Sequence, residues 1–184
     1  DTVMCTHLHV DHVGWNTMLV DGEWIPTFPN AEYLMGKKEY EYWHNTEPDQ
    51  LNDGLLEDSV KPVFDAGLVK LVPMDFEVCE GIYLEATPGH TPGHVSIHIE
   101  SQDQHALITG DSIHHPCQIE KVQWSSSADY DQVASKQTRA SLLTKYGDSN
   151  VLIIGTHFAT PTAGYLRKEG STYVLDVVST DPVI

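Results

Sequence analysis

His7-Leu-His9-Val-Asp11-His12 places four metal-binding side chains within six residues, immediately after a short β-type run from Asp1 to Thr6. On an extended backbone alternate side chains share a face, so His7 and His9 can address one ion while a following turn re-aims Asp11 and His12 towards another. Zinc sites that do chemistry typically keep three protein ligands and one position for water, so a pair of ions needs about six or seven ligands from the whole chain. Further candidates occur in Thr87-Pro-Gly-His90-Thr-Pro-Gly-His94, in Thr109-Gly-Asp111 and in Gly155-Thr-His157. Each falls at an expected strand terminus in a Gly-containing turn, where a side chain can project past a sheet edge to a shared site. The other histidines of this His-rich chain are less informative: His44, His98 and His105 stand alone on a helix end or hairpin and are assigned no role.

The elements that must position these groups alternate between strand and helix, so packed sheets covered by helices are expected. Strands are read at Ala31–Met35, Leu68–Val72, Ile82–Ala86, His94–Glu100, His105–Thr109 and Val151–Ile154, with a final hairpin of Gly164–Lys168 and Thr172–Val178. Helices are read at Gly36–His44, Ser59–Ala66 with Gly67 behind it, and Asp129–Tyr146 with acidic residues at its start and Gly147 after it. Gly14 to Pro29, with its Gly, Asn, Asp and Pro residues, reads as a long loop carrying Trp15, Trp24 and Phe28. Together with Met18 and Trp124, these aromatics are candidates for the apolar wall of a pocket.

The chain has 184 residues, with 10 Lys and Arg against 27 Asp and Glu, for a formal charge of −17. That is too few cations for a basic stripe, so nucleic acid is excluded as a partner, and an anionic membrane surface is disfavoured on the same ground. No apolar run reaches the roughly 18 residues that span a bilayer. Cys5, Cys79 and Cys117 are too scattered for a disulfide framework and include no C-x-x-C pair, so they are read as reduced structural thiols in a cytoplasmic-type compartment. The length fits one domain, residues 1–184.

The ordered set H-x-H-x-D-H, T-P-G-H-T-P-G-H, G-D and G-T-H-F resembles the metallo-β-lactamase superfamily over the stretch from Thr6 to about Tyr173. The resemblance implies an αββα sandwich with a metal site between the edges of two sheets. It also implies that His7, His9 and His94 bind a first Zn²⁺, that Asp11, His12 and His157 bind a second, and that Asp111 bridges them. His90 would then support its loop without being a ligand. Other divalent transition metals could replace zinc. In this family the first metal motif follows a substantial N-terminal stretch of strands, so the domain is expected to be N-terminally incomplete.

Two Zn²⁺ sharing a bridging water bring its pKa from about 15.7 to near 7, which supplies a hydroxide nucleophile for hydrolysis. Binding both ions would move the formal charge from −17 to −17 + 4 = −13, so a polyanionic substrate stays disfavoured. Flavin-linked diiron members typically carry Glu where this chain has His9, which favours hydrolysis over oxygen chemistry. The first two motifs resemble N-acyl homoserine lactone lactonases. Those enzymes commonly place Tyr three residues after the bridging Asp, and here that position is His114. Gly110 to His114 and the tail from Gly155 to Gly170 look more like methyl parathion hydrolase and its relatives.

Asp11 and His114 are the candidate catalytic side chains. His114 is suited to donate a proton or hydrogen bond to a leaving alkoxide, or to orient Asp111. The expected activity is dinuclear zinc hydrolysis of small esters, with a lactone favoured, an organophosphate triester next, and a β-lactamase or arylesterase behind it. An inactive metal-binding scaffold is the non-enzyme alternative. Because lactonase relatives are often dimers, the resemblance also implies a homodimer.

Overall fold

The computed structural model describes residues 1–47 and 53–177; Val178, the expected end of the last strand, lies outside them. The chain divides into two compact units, Asp1–Met74 and Asp75–Ile184.

In the first unit the elements run β1 (Thr2–Met4), α1 (Val10–Val13), β2 (Thr17–Val20), β3 (Glu23–Pro26), β4 (Glu32–Gly36), α2 (Lys37–His44), a π-helical segment (Leu55–Val60), α3 (Lys61–Asp65) and β5 (Val69–Val72). The three parallel strands β1, β4 and β5 form one sheet in that order. Parallel neighbours need long crossovers, and helices supply the one between β4 and β5. Leu8, Val13, Tyr33, Met35, Val60 and Val63 close the core of this unit. The helix expected from Ser59 starts earlier, as the π-helical turn, and its α-helical part is confined to Lys61–Asp65.

Gly14–Pro29 is not the expected loop. A 3₁₀ turn at Gly14–Asn16 leads into a hairpin in which Thr17 pairs with Pro26 and Val20 with Glu23. Asp21 and Gly22 make its two-residue turn at φ 52° and 88°, a conformation that matches the twist of the flanking strands and suits an Asp-Gly pair. Trp15, Met18, Trp24 and Phe28 are all exposed on this segment, as is Trp124 in the second unit, so none of them is core.

The second unit contains β6 (Glu77–Cys79), β7 (Ile82–Ala86), β8 (Val95–Ser101), β9 (Gln104–Ile108), α4 (Cys117–Glu120), α5 (Gln132–Tyr146), β10 (Val151–Ile154), β11 (Ala163–Glu169) and β12 (Thr172–Val177). Its seven-stranded sheet runs β12-β11-β10-β9-β8-β7-β6. Only β9 and β10 pair in parallel, and the crossover between them carries α5, which packs Leu142, Leu143 and Tyr146 against Leu107, Ile153 and Leu166 of the sheet. The Asp131 carboxylate caps α5 by accepting from Val133 N–H at 2.9 Å and Ala134 N–H at 3.0 Å, a contact worth about 1 kcal/mol. Strand β6 and the single turn α4 are too short to show a period in sequence. No helix among the described residues is long and apolar enough to cross a membrane, and all three cysteines are free thiols.

Candidate functional site

Strand β1 delivers the first motif. His7 is buried, and its Nε2 lies 2.9 Å from Nδ1 of His9, so two ring nitrogens face each other. The other His7 nitrogen is held by the Thr6 hydroxyl at 3.1 Å. The expected turn is α1: the carbonyl of His9 accepts from His12 N–H at 3.0 Å and Val13 N–H at 3.1 Å, which swings Asp11 and His12 out of the extended register. The His12 ring stays against His7, with centroids 4.0 Å apart, and Asp11 is exposed with Oδ2 3.6 Å from His12 Nε2. Glu39 of α2, itself buried, fixes this segment from below. Its Oε1 accepts from the Leu8 N–H at 3.1 Å and from the Trp43 indole N–H at 2.8 Å. Sequence reading gave Glu39 no part in the site.

In the second unit, strand pairing explains why distant residues meet. Ile108 pairs with Ile154 in parallel β9 and β10, so their C-terminal ends share one sheet edge. Asp111 and His157, each three residues past that pair, come together with Oδ2 3.2 Å from Nε2. Strand β8 runs antiparallel to β9 with Ile97 opposite Ile108, which brings His94 to the same edge. The backbone N–H of Asp111 donates to His94 Nε2 at 3.0 Å.

A chain of contacts assigns the His94 tautomer. With Nε2 accepting, Nδ1 carries the proton and donates to Thr87 Oγ1 at 2.8 Å. The Thr87 hydroxyl then donates to Ser96 Oγ at 3.1 Å, and Ser96 to the carbonyl of Thr109 at 3.1 Å. His94 is thereby fixed in the Nδ1–H tautomer, and its Nε2, which here accepts from the Asp111 N–H, is the atom a metal would take in place of that hydrogen bond.

Asp111 is buried, and three imidazoles face its Oδ2: His157 at 3.2 Å, His90 at 3.3 Å and His114 at 3.4 Å. Ligands on a tetrahedral ion with bonds of about 2.0–2.1 Å lie about 3.3 Å apart, and each of these nitrogens stands at about that distance from Oδ2. His90, Asp111 and His114 form a ligand-capable triplet within this unit. His114 is partly buried, neither of its ring nitrogens has a hydrogen-bond partner among the described residues, and its ring stacks on His157 at 5.9 Å. Burial lowers the basicity of His114 below that of an ordinary imidazole, against the opposite pull of the Asp111 carboxylate.

His90 and Asp129 are the residues that sequence reading undervalued. His90 was expected to support its loop; its Nδ1 donates to Asp129 Oδ1 at 3.1 Å while its Nε2 reaches Asp111. Burial opposes ionisation of Asp129, yet hydrogen bonds from His90 and Ser135 hold its carboxyl below the usual range. In sequence Asp129 reads only as an acidic residue at a helix start, and no local signal ties it to His90. His44, His98 and His105 lie outside these groups. His44 stacks on Tyr40, and His105 is exposed beside Glu100. His98 is buried against Glu85 and Tyr146, with its ring stacked on Tyr83.

Residues 1–157 match the family described as Metallo-beta-lactamase superfamily. The chain is 32% identical over 100 residues to an N-acyl homoserine lactonase of Bacillus sp, a match covering 54% of this chain and 33% of that one. It is 29% identical over 123 residues to the probable metallo-hydrolase YflN of Bacillus subtilis, covering 60% and 44%. Among solved structures it is similar to AidC, a dizinc quorum-quenching lactonase in complex with the product N-hexanoyl-L-homoserine. There the TM-score is 0.84 at 22% identity, over 97% of this chain and 64% of that chain. Hydrolase AbOPH gives a TM-score of 0.83 at 22% identity, over 98% and 65%. The matched region thus spans about a third of the length of that lactonase and just under two thirds of those two solved structures.

Proposed function

Because this chain belongs to the metallo-β-lactamase superfamily, we propose that it is a dinuclear zinc hydrolase of small, neutral or weakly charged esters, with N-acyl homoserine lactones as the favoured substrate class. The observation that carries this reading is the buried Asp111 carboxylate facing His157 and His114 at zinc-like spacing, at the edge where His94 presents a fixed Nε2 lone pair. The reading assigns His7, His9 and His94 to one ion, Asp11, His12 and His157 to the other, and Asp111 to both. When bound, the ions would supply an activated water and Lewis acidity towards the substrate carbonyl.

The chain's own residues do the rest. Neutral imidazoles and only two carboxylates, Asp11 and Asp111, would leave about half of the charge of two bound Zn²⁺ uncompensated, a positive field that would favour a developing oxyanion in an otherwise acidic protein. The Thr87–Ser96 relay keeps His94 in its ligand tautomer, and Thr6 and Glu39 hold the His7–His9 segment. His114 stands beside Asp111 with ring nitrogens uncommitted to other described residues, in place to donate a proton or hydrogen bond to the leaving alkoxide.

The lactone preference is supported by the curated relatives named N-acyl homoserine lactonase and by the product-bound lactonase AidC. A phosphotriester is the second reading, favoured by His114 standing where lactonases commonly carry Tyr. The proposal also takes in a cytoplasmic setting, in keeping with the free thiols, and a homodimer. Initial rates on a lactone, an aryl phosphotriester, an aryl ester and a β-lactam, measured side by side with metal content on the same sample, test it. The lactone should be turned over fastest by zinc-loaded protein. Equal rates from the His9→Ala variant would overturn the metal-dependent reading, and a faster phosphotriester rate would overturn the lactone preference.

A further inference from the structure

Of the three imidazoles facing Asp111 Oδ2, His90 is the one held on every side. Its side chain is 1% exposed, against 20% for His114 and 40% for His157. Its turn is fastened to the residues that begin α5: Tyr130 N–H donates to the carbonyl of His90 at 3.0 Å, and Asp131 N–H to that of Gly89 at 2.9 Å. Asp129, fully buried beside it, accepts from His90 Nδ1 through Oδ1 and from Ser126 N–H through Oδ2 at 3.1 Å.

Arg139, one of the most deeply buried side chains, completes the frame. It donates to the carbonyl of Ser112, the residue after Asp111, at 2.9 Å and to that of Trp124 at 2.7 Å. A buried carboxylate is costly unless its polar partners are fixed, and the groups that contact a ligating carboxylate from outside tune its affinity for metal.

We propose that Asp129 and His90 form a positioning pair that sets the orientation of the Asp111 carboxylate for metal binding. This rests on the metal-binding reading above and adds a requirement to it: Asp111 works only while an imidazole anchored on α5's leading loop supports it. In this role His90 acts through Asp111, and since its side chain also belongs to a ligand-capable triplet with Asp111 and His114, the His90→Gln variant separates the two roles.

The test titrates metal-stripped full-length protein with Co²⁺, following its visible ligand-field absorption, alongside thermal unfolding of the metal-free chains. His90→Phe keeps an aromatic ring and removes both nitrogens; His90→Gln restores a polar amide where Nε2 sits. His90→Phe and Asp129→Ala should weaken Co²⁺ binding about 10–100-fold. His90→Gln should recover most of that loss, while metal-free melting should fall for His90→Phe, which leaves the buried Asp129 carboxylate without its imidazole, and fall less for His90→Gln. Parent-like Co²⁺ affinity in folded His90→Phe overturns the proposal. So does a His90→Gln variant as weak as His90→Phe, since that pattern belongs to a direct ligand. Should His90→Phe fail to fold, the comparison of Asp129→Asn with Asp129→Ala decides: a retained acceptor at Asn must bind Co²⁺ more tightly than Ala. Absence of Co²⁺ binding by the parent itself would instead refute the metal-binding reading.

Discussion

Replacing Gly89 by alanine should be among the most damaging single-methyl changes in the chain. Gly89 sits at φ +135°, a region that side-chain-bearing residues avoid at a cost of about 1–3 kcal/mol. An added Cβ would lie 2.3 Å from Ser135 N, 2.4 Å from Ser135 Cα and 2.8 Å from Ala134 C, all of them backbone atoms of α5. Ordinary contact begins near 3.4 Å, so the turn or the helix must give by about 1 Å, and such overpacking costs about 1–3 kcal/mol more.

Movement would also break the hydrogen bonds from Tyr130 and Asp131 N–H into the turn, giving a total of about 3–5 kcal/mol. Urea unfolding measures it: with a slope of about 2 kcal/mol per molar, the midpoint should fall by about 2 M. Gly14→Ala is the control. Its backbone is already right-handed helical at φ −55°, and an added Cβ meets nothing within 4 Å. That variant should hold or gain up to about 1 kcal/mol. A Gly89→Ala protein within about 0.5 kcal/mol of the parent would refute the packing of this turn on α5.

Three further outcomes follow from buried polar groups. Arg139→Met removes donors to the carbonyls of Ser112, Val122 and Trp124, and should destabilise by about 3–5 kcal/mol in urea unfolding. Arg139→Lys should recover little of this, because one ammonium cannot span the three acceptors. Glu39→Ala strands the Leu8 N–H and the Trp43 indole N–H and should cost about 2–4 kcal/mol, whereas Glu39→Gln, which keeps an acceptor oxygen, should cost less.

Burial opposes the charge on Glu85, but hydrogen bonds from His98, Lys145 and Tyr146 outweigh it and hold its carboxyl down to about 2. A lowered carboxylate value stabilises the fold above its unfolded value of 4.5 and loses that contribution as pH falls towards 2. After screening around the exposed Lys145 the contribution is about 2 kcal/mol. The stability gap between parent and Glu85→Gln should therefore be full near neutral pH and shrink below about pH 4.5. A gap that is unchanged at about pH 3 would contradict this.

Most of the strands were legible because β-branched runs bounded by Gly or Asp are local signals, and α5 announced itself through its apolar spacing and Gly147. The hairpin of Thr17–Pro26 was hidden by its prolines and exposed aromatics, although Asp21-Gly22 is a hairpin signal in its own right. The ligand motifs were legible as motifs. Their supports were not, because each is a long-range contact: Glu39 reaches back to Leu8, Ser96 links Thr87 to Thr109, and Asp129 finds His90 across 39 residues. His98 shows the same limit. A lone histidine on a strand gave no sign of the Glu85–Tyr146 network into which it is buried.

Metal content of the purified full-length protein, measured on the same sample as lactone hydrolysis before and after chelation, bears most directly on the proposed chemistry. About two zinc equivalents per chain are expected, with hydrolysis lost on their removal and restored on their return. Hydrolysis that persists in protein holding only trace metal would contradict it.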